Sequence, residues 1–268
     1  MRRRRVRAAG GLSGMGLHSG VAVRALVAPA PWGAGIAFEV GGALFPVGMD
    51  LAHAVPGASR VGPISTPEHL LAALVGLGIT DARVTVEGLE LPALGGGAAE
   101  WCDLLRAVEP GPAVAPWRVL RPYAHTAHGG EVRLEPAETL RVEVEVELPE
   151  ARLSGSARWE RGMDFCGEVA PARTFALERQ VEALRAAGRG RGASLKNTAV
   201  LQADGGALNP GGLRWPDEPI RHKLLDAIGD IGLLGHPLVG EVWVRRGSHL
   251  LHLSALRAAL AAGAIGVG

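Results

Sequence analysis

The chain has 268 residues, 47% of them apolar, and sets 28 Lys and Arg against 27 Asp and Glu for a formal net charge of +1. A balance so near zero argues against nucleic acid or an anionic bilayer surface as the partner, and no segment approaches the roughly 20 apolar residues needed for membrane insertion. Cys102 and Cys166 are the only cysteines, too few for a thiolate zinc cage, and they read as reduced, buried thiols. The expected location is the cytoplasm.

The run Arg2-Arg3-Arg4-Arg5 could open a targeting signal, but Gly10, Gly11, Ser13, Gly14 and His18 interrupt any apolar stretch behind it. It reads as an exposed terminus leading into a first strand. Alternation predicts strands over 21–27 and 35–40, a helix over 67–77, a strand over 82–87 and a helix over 98–108. Pro110, Gly111, Pro112 and Pro116 then break regular structure, and the segment 109–116 is the best linker. Beyond it, 131–135 and 140–148 are strand-like, 177–187 is helical and 199–202 is a short strand. A helix around Arg221, a strand over 239–245 and a terminal helix from His252 follow. Both halves run strands, helix, strand, helix, which predicts an α+β protein with domains at 1–112 and 117–268, similar in architecture but not in residue identity.

The helix around His222 has a testable face. At about 100° per residue, with His222 at zero, Asp226 falls at about 40°, Asp230 at about 80° and Lys223 at about 100°, whereas Leu224, Leu225, Ile228 and Ile231 fall at roughly 180–300°. The plain reading is a solvent-facing polar stripe. The alternative is that His222 and Asp226, one turn apart, grip one metal ion from one helix face. Lys196 and Lys223 are the only lysines in a chain that otherwise uses Arg, which suggests a need for a compact ammonium beside those groups.

Ser65 and Glu68 have capping-box spacing, and Pro67 suits a first helical turn, so Glu68 could simply be a cap partner. A carboxylate directly before His69 at a helix start also suits a general base next to a metal ligand. His249 and His252 could serve only as caps or packing groups, although Asp230 could keep an imidazolium acid protonated. His53, His125, His128 and His236 have no partner visible in the sequence.

Several segments, in order along nearly the whole chain, carry a resemblance: Ser13-Gly14-Met15-Gly16-Leu17-His18-Ser19-Gly20, Glu68-His69-Leu70-Leu71-Ala72-Ala73-Leu74, Ala172-Arg173-Thr174-Phe175, Ser194-Leu195-Lys196-Asn197, Arg221 to Asp230, and Gly247-Ser248-His249. Together they resemble the zinc-dependent UDP-3-O-acyl-N-acetylglucosamine deacetylases, which commit an acylated sugar nucleotide to lipid A synthesis. The resemblance implies Zn2+ held by His69, His222 and Asp226, with Glu68 as general base for the attacking water. It implies His249 as general acid or electrostatic partner oriented by Asp230, and Thr174 and Lys223 as stabilisers of the oxyanion and nearby negative charge. Phe175 and Lys223 would contact the substrate, an acylated UDP-amino sugar, and His18 would belong to a turn and pocket wall. It further implies two α+β domains with helices packed face to face between two outer sheets and the site at their junction. The oligomeric state is open, and a monomer is compatible with the sequence.

The chain departs from the family pattern in four places. Pro92-Ala93-Leu94-Gly95-Gly96-Gly97 lacks an Asp common in relatives, Pro219 replaces an aromatic, Lys196 replaces an acid, and 148–166, expected to help form the acyl-chain passage, lacks its usual aromatic and His pattern. These departures leave room for a deacetylase of another N-acetylated sugar or amide. A non-enzymatic zinc-stabilised binding protein is the remaining alternative, and the presence of an acid and a base beside the ligands argues against it.

Overall fold

The computed structural model describes residues 1–55 and 57–267. Its helices are α1 (Glu68–Leu77), α2 (Ala99–Leu105), α3 (Phe165–Glu168), α4 (Val181–Ala186), α5 (Glu218–Gly232) and α6 (His249–Ala261). Two outer sheets hold them. In the first, Ala82–Glu87 lies between Ala22–Pro29, its antiparallel neighbour, and Ile36–Val40, its parallel neighbour; Gly10–Met15 and Ala43–Pro46 complete the edges. In the second, Leu238–Arg245 is antiparallel to Gly130–Glu135 and parallel to Leu140–Leu148, with Tyr123–Ala127 and Leu153–Glu160 outside them. The two halves therefore share one topology, including a central strand that enters after the long helix, as the repeat of element order predicts.

Alternation gives each sheet a buried face: Val23, Ala25 and Val27 on one strand, and Val142, Val144 and Val146 on another, point inward while their neighbours are more exposed. Both faces and the helices between them join one continuous core. At its centre α1 packs on α5. Gly229 makes this possible, because a Cβ there would lie 2.2 Å from the Glu68 carbonyl oxygen. One turn on, Gly232 faces Leu71, whose Cβ would lie 3.1 Å from an added methyl.

Each half carries an insertion just before its long helix. The first is a three-stranded sheet of Ala52–Val55, Ala58–Val61 and Ile64–Ser65. The second is a parallel pair, Thr174–Leu177 and Thr198–Leu201, connected through α4. Both lie against the α1–α5 crossing and supply residues to it.

Several sequence expectations are revised. The segment 109–116 is not an irregular linker, since Val108–Ala113 forms a strand antiparallel to Arg2–Val6. A two-stranded ribbon leaves one edge of each strand free, so Pro110 and Pro112 are tolerated there. The arginine run, read as an exposed terminus leading into a strand, is itself that strand: Arg2 and Arg4 are exposed, whereas Arg3 bridges to buried Asp81, and Arg5 bonds Glu109 and lies over the Trp32 ring. We keep the division at 1–112 and 117–268 as a proposal, supported by the repeated topology. The terminal helix also starts earlier than expected, at His249, because the Ser248 side chain caps it by accepting from the Leu251 amide. None of the described helices is long and apolar enough to cross a membrane.

Gly229→Ala is expected to lower stability by about 1–3 kcal/mol, the usual cost of forcing a methyl into a packed interface, and to misplace the two helices together. Thermal denaturation of the purified variant measures it.

Candidate metal centre and active site

Three donors converge at the helix crossing. His69 is the second residue of α1, and His222 and Asp226 stand one turn apart on α5. His222 Nε2 lies 3.4 Å and His69 Nε2 3.9 Å from Asp226 Oδ1, and the two imidazoles meet edge to face with centroids 5.0 Å apart. A tetrahedral ion bonded at 2.0–2.2 Å holds its donors about 3.4 Å apart, so the trio has the spacing of a shared cation. The ring of His222 is fixed from behind, because its Nδ1–H donates to the Ala172 carbonyl at 3.0 Å and leaves the Nε2 lone pair facing Asp226. Burial lowers both imidazoles, His69 to about 3 with His222 adding to the effect. Each is thus neutral and able to bind a metal at neutral pH. The residues fit a divalent ion.

Glu68 opens α1 beside His69 but caps nothing: the residue at the cap position is Pro67, with no side-chain cap bond. Its Oε2 instead accepts from Ser59 Oγ at 2.7 Å and from the Ser59 amide at 3.2 Å, and Ser65 accepts from Arg60. Burial pushes Glu68 up to about 7, against the lowering effect of His249. Such a carboxylate can exchange a proton near neutrality.

His249 lies across the cavity. Burial would lower its pKa, but Asp230, 2.7 Å from its Nδ1, outweighs burial and holds the imidazole up at about 9. Asp230 is wholly buried and kept down at about 2, the rings of His249 and His252 prevailing over desolvation. Lys223 Nζ bonds Asp226 Oδ2 at 2.9 Å. Burial works against the Asp226 carboxylate, yet Lys223 and the surrounding imidazoles depress its pKa.

Thr174 and Phe175 come from the second insertion. The Thr174 amide donates to the Gly96 carbonyl at 2.8 Å, so the glycine loop that departs from the family pattern is the backbone support of this strand. Arg173, just before it, makes a buried fork to Glu218 at the start of α5, with Nε at 2.8 Å from one oxygen and a terminal nitrogen at 2.9 Å from the other. That pair ties the insertion to the metal helix. The Phe175 ring stands 6.2 Å, edge-on, from the His222 ring.

All nine residues expected at the site meet around it. Eight of them, namely Glu68, His69, Thr174, Phe175, His222, Lys223, Asp226 and His249, line one cavity of about 200 Å³ together with Leu17, Ser248 and Leu250. Asp230 sits behind His249. The polar arc of α5 is accordingly not a solvent-facing stripe, for His222, Asp226 and Asp230 are all buried. His18 forms part of a turn whose amides, with that of Ser19, bond the Glu90 carboxylate, and it lines a larger neighbouring cavity. The segment 148–166 does not border the site: it forms an edge strand and α3, and Gly155 packs near Ile220 of α5. A mainly apolar cavity lies in the second insertion, lined by Ala176, Val181, Leu184, Leu195 and Val200 with Arg185 and Arg189.

Four contributors were missed in the sequence: Ser59, Arg173 with Glu218, and His252. Glu218 has a signal, as the carboxylate in the first turn of α5, followed by Pro219 and Ile220. The others depend on partners 9 to 45 residues distant. Two histidines without visible partners find them, His125 with Ser254 Oγ at 3.1 Å and His236 stacked on Trp117. Cys102 and Cys166 are both free thiols, the first buried and the second half-buried.

A family model for UDP-3-O-acyl N-acetylglycosamine deacetylases, LpxC, matches residues 3–261. The UDP-3-O-acyl-N-acetylglucosamine deacetylase of Nitratidesulfovibrio vulgaris is 37% identical over 264 residues, covering 91% of this chain and 83% of that protein. The enzyme of the same name from Myxococcus xanthus is 37% identical over 262 residues, with 92% and 82% covered, and that from Acidithiobacillus ferrooxidans is 39% identical over 269 residues, with 92% and 86% covered. The chain belongs to the LpxC family of deacetylases.

Arg173→Met, which leaves the Glu218 carboxylate buried without its counter-ion, is expected to cost about 3–5 kcal/mol. Urea denaturation of variant and parent gives the difference.

Proposed function

We propose that the protein is a zinc-dependent hydrolase that removes the N-acetyl group from a UDP-3-O-acyl-N-acetylglucosamine, releasing acetate, the committed step of lipid A synthesis. The observation that carries this reading is a carboxylate and an imidazolium facing each other across a three-donor metal site that has no fourth protein ligand among the described residues. A structural zinc site would be closed by a fourth side chain and would need neither acid nor base.

An acetamide is a poor electrophile, and the reaction needs a polarised carbonyl, a deprotonated water and a protonated leaving amine. A divalent cation held by His69, His222 and Asp226 supplies Lewis acidity to the carbonyl and lowers the pKa of water at the site. Glu68, oriented by Ser59, takes the proton from the attacking water. His249, kept cationic by Asp230, delivers a proton to the amine nitrogen as the C–N bond breaks. Thr174 and the Lys223 ammonium offset charge that develops on the carbonyl oxygen. Phe175 walls the sugar, and the apolar cavity on the far side of its strand suits the acyl chain. A nucleotide-sugar substrate supports a cytoplasmic location.

The test is mass spectrometry of the acylated UDP-sugar incubated with the protein, with and without chelator; acetate loss abolished by chelator is expected, and unaltered substrate contradicts the proposal. Unacylated UDP-N-acetylglucosamine run in parallel separates this substrate from a different N-acetylated sugar. Glu68→Ala should retain metal while losing about 10²–10⁴ in turnover, whereas His222→Ala should lose both metal and activity. The pH profile of kcat/KM should be a bell. Glu68 acts deprotonated, so activity falls as pH drops through its pKa, at or below about 7 because a bound cation can only lower it. His249 acts protonated, so activity falls as pH rises through its pKa, at or below about 9 for the same reason.

A further inference from the structure

α6 carries His249 and His252 three residues apart, on one face. Both Nδ1 atoms lie 2.7 Å from the same oxygen, Asp230 Oδ2. Spacing distinguishes this cluster from the metal trio. A shared ion would hold its donors about 3.4 Å apart, whereas 2.7 Å is the length of a charge-assisted N–H···O bond. Both imidazoles therefore donate to one carboxylate oxygen. The other, Asp230 Oδ1, is buried with no hydrogen-bond partner among the described residues, so the two rings are all that fixes the carboxylate.

His252 does not line the site cavity; it reaches the chemistry through Asp230 and through an edge-on contact with the His249 ring, centroids 6.4 Å apart. Its far nitrogen, Nε2, is also buried without a partner among the described residues and abuts Gly247, where a Cβ would come within 2.6 Å of it. Gly247 does not have the left-handed backbone that would call for glycine on conformational grounds. It leaves room for the ring.

We propose that His252 is a positioning residue for proton delivery: as second donor to Asp230 Oδ2 it locks that carboxylate in line with His249 and takes a share of its acceptor strength, so that His249 is oriented yet free to release its proton. This rests on the deacetylase reading of the site. His249 is also faced by Asp226 from α5 and by Glu68 and His69 from α1, but none of these is hydrogen-bonded to Asp230. The cluster resembles the outer partners of metal-site histidines, whose loss costs about 10–100-fold in activity.

Two substitutions separate positioning from packing. In His252→Asn the amide nitrogen occupies the place of Nδ1, two bonds from Cβ, and restores a donor; in His252→Leu the volume is filled without one. With the metal-loaded enzyme and acylated UDP-N-acetylglucosamine, H252L is expected to lose about 10-fold or more in kcat with KM nearly unchanged, and H252N to recover most of that loss. In proton NMR the His249 Nδ1–H resonance should move downfield in H252L, where Oδ2 has lost its competing donor, and stay near its original position in H252N. Equal kcat losses in both variants, or an unmoved His249 signal in folded H252L, overturn the proposal. Should H252L not fold, Gly247→Ala, which displaces the ring from outside, is read by the same signal and the same kcat. Should the parent enzyme leave the sugar intact, the deacetylase reading fails, and the NMR comparison alone decides the role of His252.

Discussion

The approach of α1 to α5 at Gly229 sets everything else at the site. Backbone meets backbone there, with the Glu68 carbonyl lying where any larger side chain would put a carbon. Because that carbonyl belongs to the first residue of α1, the contact fixes the helix start, and with it the Glu68 carboxylate and the His69 ring, over the turn of α5 that carries His222 and Asp226. Helix packing and metal geometry are thus one constraint. The insertions then close the site from two sides: the three-stranded sheet gives Ser59 to Glu68, and the parallel pair, clamped to α5 by Arg173 and Glu218, gives Thr174 and Phe175.

The electrostatics divide four carboxylates among different tasks by environment alone. Asp226, surrounded by Lys223 and imidazoles, remains an anion suited to a cation. Asp230, two imidazole donors on one oxygen, remains an anion that keeps His249 charged. Glu218 is neutralised by Arg173 and serves architecture. Glu68, buried with only a hydroxyl and an amide for support, is the one carboxylate pushed up toward neutrality. A base and an acid with separated pKa values, about 7 and about 9, follow from which partners each group was given.

Much of this was legible in the sequence because it is local. The i, i+4 spacing of His222 and Asp226, the position of Asp230 on the same arc, and the strand–helix order of the halves require only helix and strand periods. The solvent-facing alternative for that arc failed because periodicity identifies a polar face and not what covers it; here α1 and α6 do. The ribbon of Arg2–Val6 with Val108–Ala113 was illegible because its prolines mimic a linker, and an edge strand asks little of its backbone donors. Ser59 and His252 were illegible for a different reason: each matters only through a carboxylate on another element. The capping-box reading of Ser65 and Glu68 was a local rule overridden by a tertiary partner, Ser59, that offered Glu68 a better bond.

Anomalous diffraction at the zinc edge on zinc-loaded crystals tests the central claim most directly. The account predicts one site per chain, bonded to His69 Nε2, His222 Nε2 and Asp226, with its open side toward Glu68 and His249. No peak at that position, or a principal peak centred on Asp230, His249 and His252, would contradict it.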